Sequence, residues 1–157
     1  MLSLKTIGER ENETDVVLRG RTVRVRGLTV RDRDLLRVLF LRPTPPVGKN
    51  PDKGDLAPEE PLVNDPGYRA KVEARTAQVL AAEFAIATRW QTEDGGEWDP
   101  TKPEAECRAW AKRAAAEVAG SGLSDAEVET VFRAVALLER GGDPRGNSSS
   151  GSTPVSE

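Results

Sequence analysis

The side chains that could do chemistry in this chain form a short roster, and its most versatile member is missing. None of the 157 residues is histidine. A histidine general base, a Ser-His-Asp triad and a histidine-ligated metal are therefore excluded. The one cysteine, Cys107, permits neither an internal disulfide nor a cysteine-cluster zinc site. It falls in the early turns of an alanine-rich segment beside Trp110 and Ala114, with no base to activate it, and reads as a small buried apolar residue. The close carboxylate pairs are Asp32/Asp34, Glu59/Glu60, Glu93/Asp94 and Glu104/Glu106. All fall in loops or first helical turns, where acidic side chains favour the helix dipole. Asp94-Gly-Gly-Glu-Trp-Asp99 gathers three carboxylates but lacks the ligand register of a calcium loop. Gly95-Gly96 follows no strand and precedes no Lys-Ser/Thr, so it cradles no phosphate. The expectation is a non-enzyme with no catalytic residue, no metal and no cofactor.

Charge and apolar runs are the more informative features. From Val16 to Arg42 eight arginines stand against Asp32 and Asp34, a balance of +6, whereas Pro43 to Glu157 carries −7. Such halves can neutralise each other within a fold, dock head to tail with a second copy, or meet an outside anion. Arg19, Arg21, Arg24 and Arg26 would form the basic face of a hairpin. That face has no aromatic residue on which bases could stack, and the net charge is −3, so nucleic acid is not the expected partner. Two apolar stretches read as protein-interaction surface. One is Leu35–Leu41, with Leu35, Leu36, Leu39 and Phe40. The other is a helical stripe of Tyr68, Val72, Val79, Ile86 and Trp90, with Glu83 in its middle. Glu83 either snorkels outward or pairs with an arginine, a hairpin arginine being the candidate.

These residues need elements to position them. Residues 1–15 read as a flexible arm, followed by one domain over 16–142. Val23 and Val25 alternate with Arg24 and Arg26 in the period of a strand, and Gly20 supplies the turn to Val16–Leu18. Thr29 and Asp32 form a capping box opening a first helix. Seven of the eleven prolines crowd residues 43–66, which therefore read as a long structureless loop. A long helix is expected from Gly67 to Trp90. A third, capped by Thr101 and Glu104, should run to Ala119, and a fourth, capped by Ser124 and Glu127, should end at Gly141-Gly142. Residues 143–157 are low in complexity and expected to be disordered. The fold class is mainly α: an N-terminal β-hairpin, about four helices, a proline-rich loop and disordered ends. No apolar run is long enough for a bilayer and no signal peptide is evident, so an intracellular, soluble protein is expected.

A basic hairpin, the stretch Val23-Arg-Val-Arg-Gly-Leu-Thr-Val-Arg-Asp-Arg-Asp34 running straight into an apolar helix, and a small helical body together resemble the tail assembly chaperones of long-tailed bacteriophages. The likeness spans Val16–Arg140 in organisation, and the proline-rich insertion at 43–66 departs from it. The apolar runs and opposed charges lead to the expectation of a homo-oligomer, and the resemblance implies a non-catalytic protein of the host cytoplasm. It would bind tape measure protein, recruit tail tube subunits and be absent from the mature virion. A minor structural or connector protein of the virion, or a small nucleic-acid-binding regulator using the arginine hairpin, are the alternative expectations.

Overall fold

The computed structural model describes residues 12–141; the outer part of the expected arm and the whole of the expected tail lie outside them. Two strands, β1 (Glu13–Leu18) and β2 (Arg21–Arg26), pair antiparallel, with Leu18 opposite Arg21 and Glu13 opposite Arg26. The connection is a two-residue turn, Arg19-Gly20, with both residues at positive φ, 51° and 73°. That is the turn whose twist matches a right-twisted hairpin, and glycine meets its demand without strain. The hairpin starts three residues earlier than Val16, which corrects the expected boundary of the arm. Thr14 pairs with Val25 and is buried with it, so residues 13–15 belong to the sheet.

Helix α1 (Val30–Leu39) opens with the expected capping box. Thr29 Oγ1 accepts from the Asp32 N–H, and the Asp32 carboxylate accepts from the Thr29 N–H. The expected proline-rich loop is more ordered than its composition implies. Within it β3 (Val47–Gly48) pairs antiparallel with β4 (Glu60–Pro61), and a 3₁₀ turn covers Pro51–Lys53. Polar bonds replace the missing core there: the Glu60 carboxylate accepts from Lys53 Nζ at 2.9 Å and from Asn50 Nδ2 at 3.1 Å.

Helix α2 (Pro66–Ala87) has Asp65 as its N-cap and proline in its first turn. It stops short of the expected Trp90. The Trp90 N–H turns back to the Ala85 carbonyl at 2.8 Å and the Arg89 N–H to that of Ile86 at 3.3 Å, a Schellman closure. Arg89 occupies the left-handed position, φ 55°, where glycine is usual. Helix α3 (Glu104–Ala119) is not capped by Thr101, contrary to the expected capping box. Its N-cap is Pro103 with no side-chain bond, because Thr101 bonds instead to Asp99. Helix α4 (Asp125–Glu139) carries the expected Ser124/Glu127 capping box.

The fold is thus a two-stranded hairpin followed by four helices, mainly α, as expected. The small side chains Ala111, Ala114 and Ala115 let α3 come close to α2, the most extensive helix–helix contact of the molecule. Phe84 of α2 meets Phe132 of α4 edge to face at 6.4 Å. Val16 and Val25 of the hairpin, Leu36 and Leu39 of α1, and Val131 and Val135 of α4 complete the core. No α2 residue before Val79 belongs to it. At about 1.5 Å per residue, the first four turns of α2 therefore extend some 20 Å along the helix without contributing to the core. No helix among the described residues is long and apolar enough to cross a membrane.

Candidate functional site

Three of the four hairpin arginines are already occupied. Arg19 grips both oxygens of Glu127 at 2.9 and 3.0 Å and donates to the Gly122 carbonyl at 2.7 Å, fastening the hairpin tip to the start of α4. Arg24 donates to Glu13 at 2.7 Å, and Arg89 from the end of α2 reaches the same carboxylate. Arg26 bonds Asp32 at 3.0 Å. Arg19, Arg21 and Arg24 are all exposed, but Arg21 alone has a guanidinium that makes no hydrogen bond or ion pair among the described residues. The basic face is mostly neutralised by carboxylates of the same chain.

Asp32 is the most connected of those carboxylates. Its side chain is buried, and it accepts from the Thr29 N–H at 2.9 Å, from Arg26 at 3.0 Å and from the Trp98 indole at 2.8 Å. Burial would raise its pKa, but the bonds from Trp98, Thr29 and Arg26 outweigh it and hold the carboxyl below the ordinary aspartate value. Gly27 lies at the same junction, where a Cβ would stand 2.3 Å from Asn12 Oδ1. The stretch Val23–Asp34 is therefore one bonded unit joining strand to helix.

The expected apolar interaction residues divide. Leu36, Leu39, Phe40 and Ile86 are 1–4% exposed and belong to the chain's own core, which corrects their reading as open surface. Phe40 caps α1, and its carbonyl is held by Arg75 Nε at 2.8 Å. Leu35, Tyr68, Val72, Val79 and Trp90 are half-buried. The exposed apolar side chains are others: Val38, Leu41, Val63 and Leu80 among them. Helical periodicity located the stripe on α2, but it cannot tell which turns lie against a neighbour.

Glu83 does pair with an arginine, though not with one from the hairpin. Arg33 of α1 stands 3.5 Å from Glu83 and 2.6 Å from Glu139 of α4, one guanidinium tying three helices together. Burial raises the Glu83 pKa; Arg33 opposes the shift, and the neighbouring Glu139 carboxylate reinforces it. The Cys107 thiol is buried and donates to the Asp99 carbonyl at 3.4 Å; burial pushes its pKa up, away from nucleophilic character. Among the described residues no three His, Cys, Asp or Glu side chains cluster as a metal site.

One feature was not legible in the sequence. A cleft of about 600 Å³ opens at the hairpin tip, walled by Leu18, Val23, Phe84, Trp90 and Leu123, with Arg21 on its lining. It is assembled from the hairpin, the end of α2 and the segment before α4, so no local pattern announces it. Models of known families, curated proteins and solved structures were compared with the chain, and none matches it.

Proposed function

We propose that this chain is a tail assembly chaperone of a long-tailed bacteriophage. It binds tape measure protein and recruits tail tube subunits in the host cytoplasm, without catalysis and without entering the finished particle. The observation that carries this reading is the outer half of α2. Its first four turns add nothing to the core, yet they bear the half-buried Tyr68 and Val72 and lead to the exposed Leu80. A helix so placed offers an apolar stripe to a second helix at i, i+4 spacing, the geometry a long helical client requires. The bonded strand-to-helix junction at Val23–Asp34 is the part of the sequence that carries the family resemblance. The pairing of Arg19, Arg24 and Arg26 with carboxylates favours a protein partner over nucleic acid.

The reading predicts a tape measure gene beside this one, and co-expression of this chain with the protein encoded there is the test. The two should co-purify, and Val72→Asp should reduce capture severalfold while leaving the thermal midpoint of the isolated chain unchanged. A gene located away from tail genes, or capture indifferent to Val72 and Tyr68, would count against the proposal.

A further inference from the structure

We propose that copies of this chain associate head to tail, with Leu56 at the tip of one copy's proline-rich hairpin entering the cleft at the tip of the next copy's arginine hairpin. The inference rests on two surfaces of the structure and does not depend on the chaperone reading.

The first surface is a knob. Leu56 is fully exposed, at 101%. It sits in a turn that is held: the Ala57 N–H donates to the Gly54 carbonyl at 3.2 Å, Lys49 Nζ donates to the Asp55 carbonyl at 3.0 Å, and Lys53 pairs with Glu60 below. The bonded turn thus holds a large apolar side chain out in water with nothing of its own chain to bury against, and burial in a complementary cleft would remove that apolar area from water. Its flanks are acidic, with Asp55 before it and Glu59 after it, both exposed.

The second surface is that complement. The cleft of about 600 Å³ is within the size range of sites that enclose a small ligand, and its walls include Leu18, Val23, Phe84 and Leu123. Arg19 and Glu127 on its lining cancel each other, which leaves Arg21 as the positive charge of the lining without an ion-pair partner among the described residues. An apolar knob with acidic shoulders matches an apolar cleft with a cationic rim in both respects. Leu56 does not fill the cleft of its own chain, since it stands free in solvent. The two patches lie on different parts of the molecule, so the contact is heterologous and propagates into a ring or an open filament rather than closing as a two-fold dimer.

Sedimentation velocity on the full chain tests this. The wild type should grow beyond a monomer as concentration rises to about 1 mM, the regime of a single small contact. Leu56→Asp and Arg21→Glu should each associate at least tenfold more weakly, with thermal midpoints unchanged because both side chains are exposed. Should either midpoint fall, Leu56→Ser and Arg21→Gln replace them. The diagnostic step mixes the two variants: one retains the cleft, the other the knob, so the mixture should form heterodimers and nothing longer. A wild type monomeric throughout overturns the proposal. So does a Leu56→Asp chain that associates like the wild type, or a mixture that stays monomeric while the wild type assembles.

Discussion

The indole N–H of Trp98 donates to Asp32 Oδ1 at 2.8 Å across 66 residues of sequence. That bond ties the start of α1 to the connector between α2 and α3. Trp98 in turn stacks at a tilt on Trp110 of α3, centroids 5.3 Å apart, and Trp110 donates to the Gly96 carbonyl at 3.0 Å. The strand-to-helix junction and the second half of the molecule are thus held through one buried carboxylate.

Removing that carboxylate should be among the most damaging single changes. Asp32→Ala leaves Arg26, Trp98 and the Thr29 N–H without their shared acceptor, and should cost about 3–5 kcal/mol, the range for breaking a buried charged network. Trp98→Phe keeps most of the packing and loses one bond to a charged group, so about 1.5–3 kcal/mol is expected. Urea unfolding of the three proteins measures both; equal midpoints for Asp32→Ala and wild type would refute the role given to the network.

How much of this was legible beforehand depends on the range of each interaction. The two side-chain capping boxes that formed, Thr29/Asp32 and Ser124/Glu127, are closed within four residues and could be read directly. The Thr101/Glu104 box has the same spacing but lost its hydroxyl to Asp99, a competitor two residues away. Asp32 appeared as a cap and nothing more, because its partner Trp98 is distant in sequence. The order in 43–66 was hidden for a similar reason: its prolines argued against pairing, while the bonds from Asn50 and Lys53 to Glu60 favoured it.

Acid should weaken the anchorage of the hairpin tip. Glu127 is held down to a pKa of about 2, chiefly by its bond with Arg19 and next by the Ser124 N–H. A depressed carboxylate stabilises the fold above its unfolded pKa and loses that contribution as pH falls toward the folded value. The window here runs from about pH 4.5 down to about 2. Thermal midpoints taken across that window should fall for the wild type and fall less steeply for Glu127→Gln. Parallel slopes for the two proteins would remove Glu127 from the acid response.

Glu83 should behave in the opposite sense. Its folded pKa is raised, first by burial, so its contribution is fully present below the unfolded value and is lost as pH rises through the folded one. At neutral pH the charged form is a cost that Arg33, shared with Glu139, only partly offsets. Glu83→Gln is therefore expected to be as stable as the wild type or about 1 kcal/mol more stable at pH 7, since the burial cost of the charge disappears while Arg33 keeps its 2.6 Å bond with Glu139. A loss of several kcal/mol would show that the Arg33–Glu83 contact is a net stabiliser.

The division of the first apolar run between core and surface yields the sharpest contrast. Leu36 is 1% exposed and Phe40 4%, whereas Leu41 is 79% and Val38 51% exposed. The four lie within six residues, in a segment whose apolar character alone does not separate them. Placing a carboxylate at Leu36 or Phe40 loses the buried side chain and puts an unpaired charge into the core. Either change should cost more than about 4 kcal/mol, which is enough to unfold many domains of this size. The same substitution at Leu41 or Val38 meets water and should shift stability by no more than about 0.5 kcal/mol. Circular dichroism and thermal melts of Leu36→Asp, Phe40→Asp, Val38→Asp and Leu41→Asp decide the matter. If Leu36→Asp melts with the wild type, α1 does not bury the face assigned to it; if Leu41→Asp unfolds the chain, that side chain is covered rather than exposed.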